Sequence, residues 1–249
     1  MTVADEADWP AMTSDTANPW RVVTWNVRGS HRPDLADLAD VIRRLDPDVV
    51  AIQEIWRSQA RDLATRLGWH QVWARKHHPY TPLVWWRSEG LAILAPRPLR
   101  DVVRRSISPG VSTWTYRHRV VLAATVTSAS GSALRVYDTH LASGPATDDR
   151  IAQARRVADL VAAEAPPLAI VAGDLNDAGE PEVVRELHRV GLRDVAGGST
   201  NPAIAPRQRL DHVVVPADAT VTEQYEPPGG EEWAELSDHV PVLVAFSST

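Results

Sequence analysis

The stretch Leu168-Ala-Ile-Val-Ala-Gly-Asp174-Leu-Asn176-Asp177 constrains the fold more than any other. The apolar run from Leu168 to Ala172, launched by Pro166-Pro167, reads as a short strand buried on both faces. Such a strand needs covering layers on each side of its sheet. Gly173 lets the backbone turn or approach a neighbour closely. Asp174 and Asn176 stand two apart, so an extended chain aims both to one side. A carboxylate and an amide aimed together suit a metal, a phosphate or an attacking water. The same residue types also suit an ordinary turn.

The pattern recurs along the chain. Trp20 to Val27 reads as a strand rich in β-branched and aromatic residues, with Asn26 near its end. Asp34 can cap a helix whose apolar positions Leu35, Leu38, Val41, Ile42 and Leu45 keep the helical period, and Pro47 stops it. Asp48 to Gln53 is a second apolar strand closed by Glu54, and a buried carboxylate needs a partner or a metal. A helix near Ser58–Leu67 ends at Gly68. Strands follow near Trp69–Ala74, Glu89–Ala95 and Val102–Ile107. Arg117–Val126 and Ala133–His140 form a hairpin around Ser130-Gly131-Ser132, with His140 at the strand end. A third helix starts at Thr147 or Asp148. Pro181 opens a fourth, which Gly191 closes. Arg209 to Val215 is a strand carrying Asp211, and Ser237-Asp238-His239 feeds the last strand. The polar segment Tyr225–Glu235, with Pro227-Pro228-Gly229-Gly230, reads as a surface loop. Many strands with helices between them, and hairpins as well, suggest two packed sheets covered by helices.

Composition narrows the chemistry. The chain of 249 residues has no cysteine, so any metal must be held by oxygen or histidine. Hard oxygen donors without thiolates favour Mg²⁺, Mn²⁺ or Ca²⁺ over structural zinc. The net charge of −6 argues against coating nucleic acid by bulk charge but leaves room for a local basic cleft. Lys76 is the only lysine, so the positive charge is almost all arginine. The loop from Arg75 to Arg87 mixes cations, prolines, Trp85 and Trp86. That mixture can stack on bases and hold phosphates, or pack on itself as a plain loop. Residues 1–19 are acidic and read as a flexible tail ahead of one domain over 20–249. They lack the apolar core of a signal peptide, and no later run is long enough to span a bilayer. The expectation is a cytoplasmic, monomeric protein without stable membrane insertion.

Seven segments resemble, in order, the endonuclease/exonuclease/phosphatase superfamily. They are Thr24-Trp-Asn26-Val, Asp48-Val-Val-Ala-Ile-Gln-Glu54, Gly90-Leu-Ala-Ile-Leu, Thr139-His140-Leu, Gly173-Asp174-Leu-Asn176, Leu210-Asp211-His and Ser237-Asp238-His239-Val-Pro. No single segment is decisive, but the ordered set is specific and spans residues 20–249. The resemblance implies an α/β fold, a four-layered α-β-β-α sandwich of two mostly antiparallel mixed sheets flanked by helices. It also implies Mg²⁺-dependent hydrolysis of phosphate esters. Carried over, Glu54 is the main metal ligand, helped by Asn26 and Asp238. Asp174 orients or deprotonates the attacking water, and Asn176 donates to phosphoryl oxygens. His239 pairs with Asp211, and His140 serves near the leaving oxygen. Which histidine is base and which acid stays open.

Arg28 stands where AP endonucleases carry an aspartate, as in pancreatic-type deoxyribonucleases. His140 stands where AP endonucleases carry a tyrosine. The two-histidine version resembles deoxyribonucleases, toxin nucleases and sphingomyelinases. Arg28 and Arg119 (or Arg117) are the expected phosphate contacts. The implied function is a phosphodiester hydrolase, first a nuclease on DNA. A lipid or small-molecule phosphodiesterase or phosphatase is the alternative, and a scaffold without chemistry is disfavoured because no catalytic group is missing.

Overall fold

Period-two alternation along the strands sends successive side chains into two different cores. The computed structural model describes residues 19–77, 88–177 and 181–248. In β1 (Trp20–Asn26), Val22 enters one core while Val23 and Trp25 enter another. In β2 (Val49–Trp56), Val49 and Ala51 join Val22, and Val50 and Ile52 join Val23. In β8 (Ala169–Asp174), Ile170 and Ala172 share the core of Val22, whereas Ala169 and Val171 face a third. The shared core lies between two sheets. The other two cores lie beneath helices, which makes four layers, as the sequence implied.

The first sheet is ordered β11 (Thr220–Tyr225), β12 (Val242–Ser247), β1, β2, β4 (Glu89–Ala95), β3 (His70–Arg75). The second is ordered β5 (Arg100–Ser106), β6 (Val120–Thr127), β7 (Ala133–His140), β8, β10 (Asp211–Pro216), β9 (Leu192–Asp194). Parallel pairing joins β1 to β2 and β7 to β8, and the other pairs are antiparallel. Helices α1 (Leu35–Leu45), α2 (Arg57–Leu67) and α5 (Glu231–Leu236) cover the first sheet. Helices α3 (Thr147–Glu164) and α4 (Pro181–His188) cover the second. Asp34 caps α1 as expected, its Oδ1 accepting from the Ala36 amide at 2.7 Å. Gly68 ends α2 with φ 71°.

Three expectations need correction. Tyr225–Glu235 is not merely a surface loop, because Glu231 opens α5 and buries Trp233 to 1% exposure, edge-on to Trp25 at 6.2 Å between ring centroids. The run Pro-Pro-Gly-Gly announces a turn, but the single tryptophan behind it supplies enough apolar area to dock one helical turn. Glu54 does not close its strand. The β2–β4 register shifts between Ile52 and Ile55, so Glu54 sits in a bulge and pairing resumes to Trp56. Asn176 is not extended relative to Asp174 either, as its φ is 51° and its amide donates to Asp174 Oδ1 at 3.0 Å. That is a side-chain-capped turn, so the turn reading and the site reading of this stretch describe one object. Strands β9 and β11 lie outside the sequence reading. Residues 1–18 of the expected 1–19 tail, and residues 78–87 of the Arg75–Arg87 loop, lie outside the described residues. No helix among the described residues is long and apolar enough to cross a membrane.

Candidate active site

The parallel pairs fix where polar groups emerge, since β1, β2, β7 and β8 all end at one edge of the sandwich. Register places Asn26 beside Gln53, His140 beside Asp174, and Asp211 beside Asp174. The two sheets meet there, where Asn26 Nδ2 donates to Asp174 Oδ2 at 3.0 Å. Local backbone geometry does the aiming. Arg28, Glu54 and Asn176 have φ of 41°, 57° and 51°, a left-handed region costly for residues with a Cβ and concentrated at functional sites. Gly173 is obligatory, because a Cβ there would stand 1.9 Å from the Thr139 carbonyl oxygen.

These elements surround a cleft of about 380 Å³ lined by Asn26, Glu54, His140, Asp174, Asn176, Asp238 and His239. Asp174 Oδ2 is 3.6 Å from His140 Nε2 and 3.9 Å from His239 Nε2. His239 Nδ1 is 2.7 Å from Asp211 Oδ2, which also accepts from Thr200 Oγ1 at 2.6 Å. Asp211 is buried behind His239 and does not line the cleft. Asp238 lines the cleft beside His239, with Oδ2 3.2 Å from Arg28. Arg28 thus stands behind Asp238 rather than on the cleft wall. Arg119 does line the cleft, buried, with Nε donating to the Leu141 carbonyl at 3.0 Å and NH1 donating to the Tyr116 carbonyl.

The environment pushes the two histidines apart. Burial alone would lower His239, but the charge and hydrogen bond of Asp211 outweigh it and hold the ring up at about 10. Burial, together with Lys76, Arg119 and His239, pushes His140 well below the ordinary imidazole value. Its Nδ1 has no hydrogen-bond partner among the described residues and lies 3.7 Å from Glu54 Oε1. Burial and the like charge of Asp211 lift Asp174 to about 7, opposed by His239 and Asn26. Burial likewise raises Glu54; Lys76 opposes this, while Glu89 and Asp238 reinforce it.

Two donor sets fit a cation. Asp174, Asp211 and His239 present atoms within 4.8 Å of one another. Within that set the 2.7 Å bond already commits His239 Nδ1 and Asp211 Oδ2 to each other, so we read it as a hydrogen-bonded pair beside a carboxylate. The set of Glu54, Asp238 and Asn26 fits a divalent cation better. The charge of Asp238 adds to the upward push on Glu54, which a hard cation relieves, and the donors of the set are oxygens.

The cleft holds residues that the strand-end pattern misses: Lys76, His77, Glu89, Tyr116, Ser143 and Asn201. Lys76, just past the end of β3, and Glu89, at the start of β4, form a partly buried pair at 3.2 Å. A lone lysine beside the start of a strand carries a weak signal. The other four sit in loops, where no period marks them.

The sequence pattern of the endonuclease/exonuclease/phosphatase family matches residues 23–239. No curated protein matches the sequence. The fold is similar to an endonuclease/exonuclease/phosphatase from Beutenbergia cavernae, 22% identical with a TM-score of 0.74, covering 93% of this chain and 72% of that one. It is also similar to a mannosyl-6-phosphatase from Bacteroides thetaiotaomicron, 17% identical with a TM-score of 0.72, covering 92% of this chain and 99% of that one. The human Nocturnin catalytic domain, with bound sulfate anion, is 20% identical with a TM-score of 0.72, covering 93% and 94%. At these identities the structures speak for the fold alone, whereas the sequence pattern spans nearly the whole chain and decides the family: this protein belongs to the endonuclease/exonuclease/phosphatase family.

Proposed function

We propose that this chain is a divalent-metal-dependent phosphodiester hydrolase acting on nucleic acid, DNA first, by in-line attack of water on phosphorus. Members of its family hydrolyse phosphoric esters. The observation that carries the reading is the meeting, in one cleft, of Asp174 with two histidines and an asparagine, opposite Glu54 and Asp238. Glu54, Asp238 and Asn26 would hold Mg²⁺, which when bound supplies positive charge against the phosphoryl oxygens. Asp174, fixed through Oδ1 by the Asn176 amide and through Oδ2 by Asn26, orients the water and takes its proton. Asn176 donates to a phosphoryl oxygen, and Arg119 adds fixed charge from the cleft wall. Asp211 accepts the proton on His239 Nδ1 and stabilises the charged ring, so that the Nε2 proton faces the substrate. His140, on the Glu54 side, assists the leaving oxygen.

Purified protein with Mg²⁺ or Mn²⁺, assayed in parallel on plasmid DNA, RNA, sphingomyelin, a sugar phosphate and bis-p-nitrophenyl phosphate, tests this. Cleavage of the nucleic acids and the nitrophenyl diester is expected. Turnover of the sugar phosphate alone would make the protein a phosphomonoesterase, and turnover of sphingomyelin alone a lipid phosphodiesterase.

A further inference from the structure

We infer that the small cavity beside the cleft is a nucleobase subsite, and that Tyr116 is its stacking platform; this rests on the phosphodiesterase reading of the cleft. The cavity measures about 210 Å³ and shares Tyr116, Arg119 and Ser143 with the cleft, so the two lie side by side along that wall. Its remaining lining is small and largely apolar, with Ala142, Pro145 and Ala146. Asp149 and Arg117 close its far side, paired at 3.1 Å and able to meet the polar edge of a ring.

Tyr116 is 55% exposed, one of few large rings among the described residues left open to solvent, and it lines both the cavity and the cleft. Base-on-aromatic stacking needs such a ring and tolerates any base, since every base has a π-face. A planar heterocycle fits a volume of this size, and its phosphodiester would reach Arg119 and the cleft. An acyl chain would meet the charged pair of Arg117 and Asp149 in the lining, and a sugar would leave the ring of Tyr116 without a planar partner.

The walls are fixed in advance. Gln153, buried on α3, holds both, its Oε1 accepting from the Ala142 amide at 2.8 Å and its Nε2 donating to Ser108 Oγ at 3.1 Å. Ser108 Oγ in turn accepts from the Arg119 amide at 3.1 Å. Buried Arg150 donates from NH1 to the carbonyls of Ala142 at 3.1 Å and Gly144 at 2.6 Å. A subsite built on such anchors binds with little ordering cost.

The test compares a dinucleoside monophosphate with its abasic counterpart, which keeps the same diester. Wild type is expected to favour the base-bearing diester by about fivefold or more in kcat/KM. Tyr116→Phe should keep that ratio, whereas Tyr116→Ala, and Ala146→Trp by filling the cavity, should bring it toward one. Equal kcat/KM in wild type, or a ratio that survives both substitutions, overturns the inference. Calorimetry of both ligands with Asp174→Asn carries the same comparison without turnover. Base preference in binding with neither diester cleaved would count against the phosphodiesterase reading alone. Equal binding with both cleaved would count against the subsite alone.

Discussion

Asp211 and His239 are 28 positions apart yet 2.7 Å apart in space, and their pairing is the most specific statement the site makes. If Asp211 works only through His239, His239→Ala should lose activity by several orders of magnitude and Asp211→Asn somewhat less. The double variant should be little worse than His239→Ala, because groups that act as a unit are not additive. Multiplicative losses in steady-state kinetics would separate the two residues. Glu54 is the other residue to test. Glu54→Gln keeps the shape of the side chain and its place in the bulge but removes one charge from a hard-cation site. Mg²⁺ affinity by calorimetry should fall at least about tenfold, with the thermal melt of the metal-free protein no lower. Unchanged affinity would exclude Glu54 as a ligand. Strand-end residues such as Asn26, His140 and Asp174 were legible because a polar group closing an apolar run has no packing reason to be there. Tyr116 and Ser143 were not, because a loop residue shows nothing in its spacing and gains meaning only from what folds beside it.

Elements were legible where pattern and punctuation agreed. Helix α1 has its period, its cap and its stop, and β4 was bounded to the residue by the apolar run after Glu89. Bulges were not legible, since φ of 57° at Glu54 is imposed by tertiary contacts: the Gly29 turn packs so close that a Cβ there would meet the Glu54 carbonyl at 2.6 Å. Helix α5 was hidden by the glycines and prolines before it, and the burial of Trp233 and Leu236 rescues so short a helix. The end of β8 offers the sharpest test at this scale. Gly173 has φ 145°, and the carbonyl that blocks its Cβ belongs to the hydrogen-bonded neighbour β7. Gly173→Ala must therefore move backbone, at a cost of about 3 kcal/mol or more. For a chain of this size that lowers Tm by about 6–12 °C. The displaced strand carries Asp174, so activity should fall with stability. A variant melting at the wild-type temperature would mean that β8 ends in some other conformation.

Across the whole molecule, the second sheet is clamped beneath the site by a buried histidine. His212 on β10 lies between two carboxylates, with Nδ1 3.1 Å from Asp194 Oδ1 at the end of β9 and Nε2 3.1 Å from Asp177 Oδ1 beyond β8. Arg209 also binds Asp194, at 2.6 Å and 2.8 Å. Burial and the nearby Arg209 act to lower His212, but the hydrogen bonds of Asp177 and Asp194 prevail and hold it at about 9. A histidine whose folded value exceeds its unfolded value of about 6.5 stabilises fully below that value. The contribution fades as pH rises through about 9. Its full size is on the order of 3 kcal/mol. Asp194 acts in the opposite direction: burial raises it, but His212 and Arg209 outweigh burial and lower it, so its share is lost as pH falls through the acid range. The clamp therefore stabilises a window between the two limits. His239 shares the alkaline sign, and the net charge of −6 grows more negative there, so the wild-type curve alone does not isolate the clamp. The difference between wild type and His212→Gln does. Measured by denaturant unfolding, that difference should be largest near pH 6 and shrink steadily toward pH 10. A difference that stays constant across this range would mean His212 holds the sheet as a neutral ring, and its place between Asp177 and Asp194 would then carry no charge.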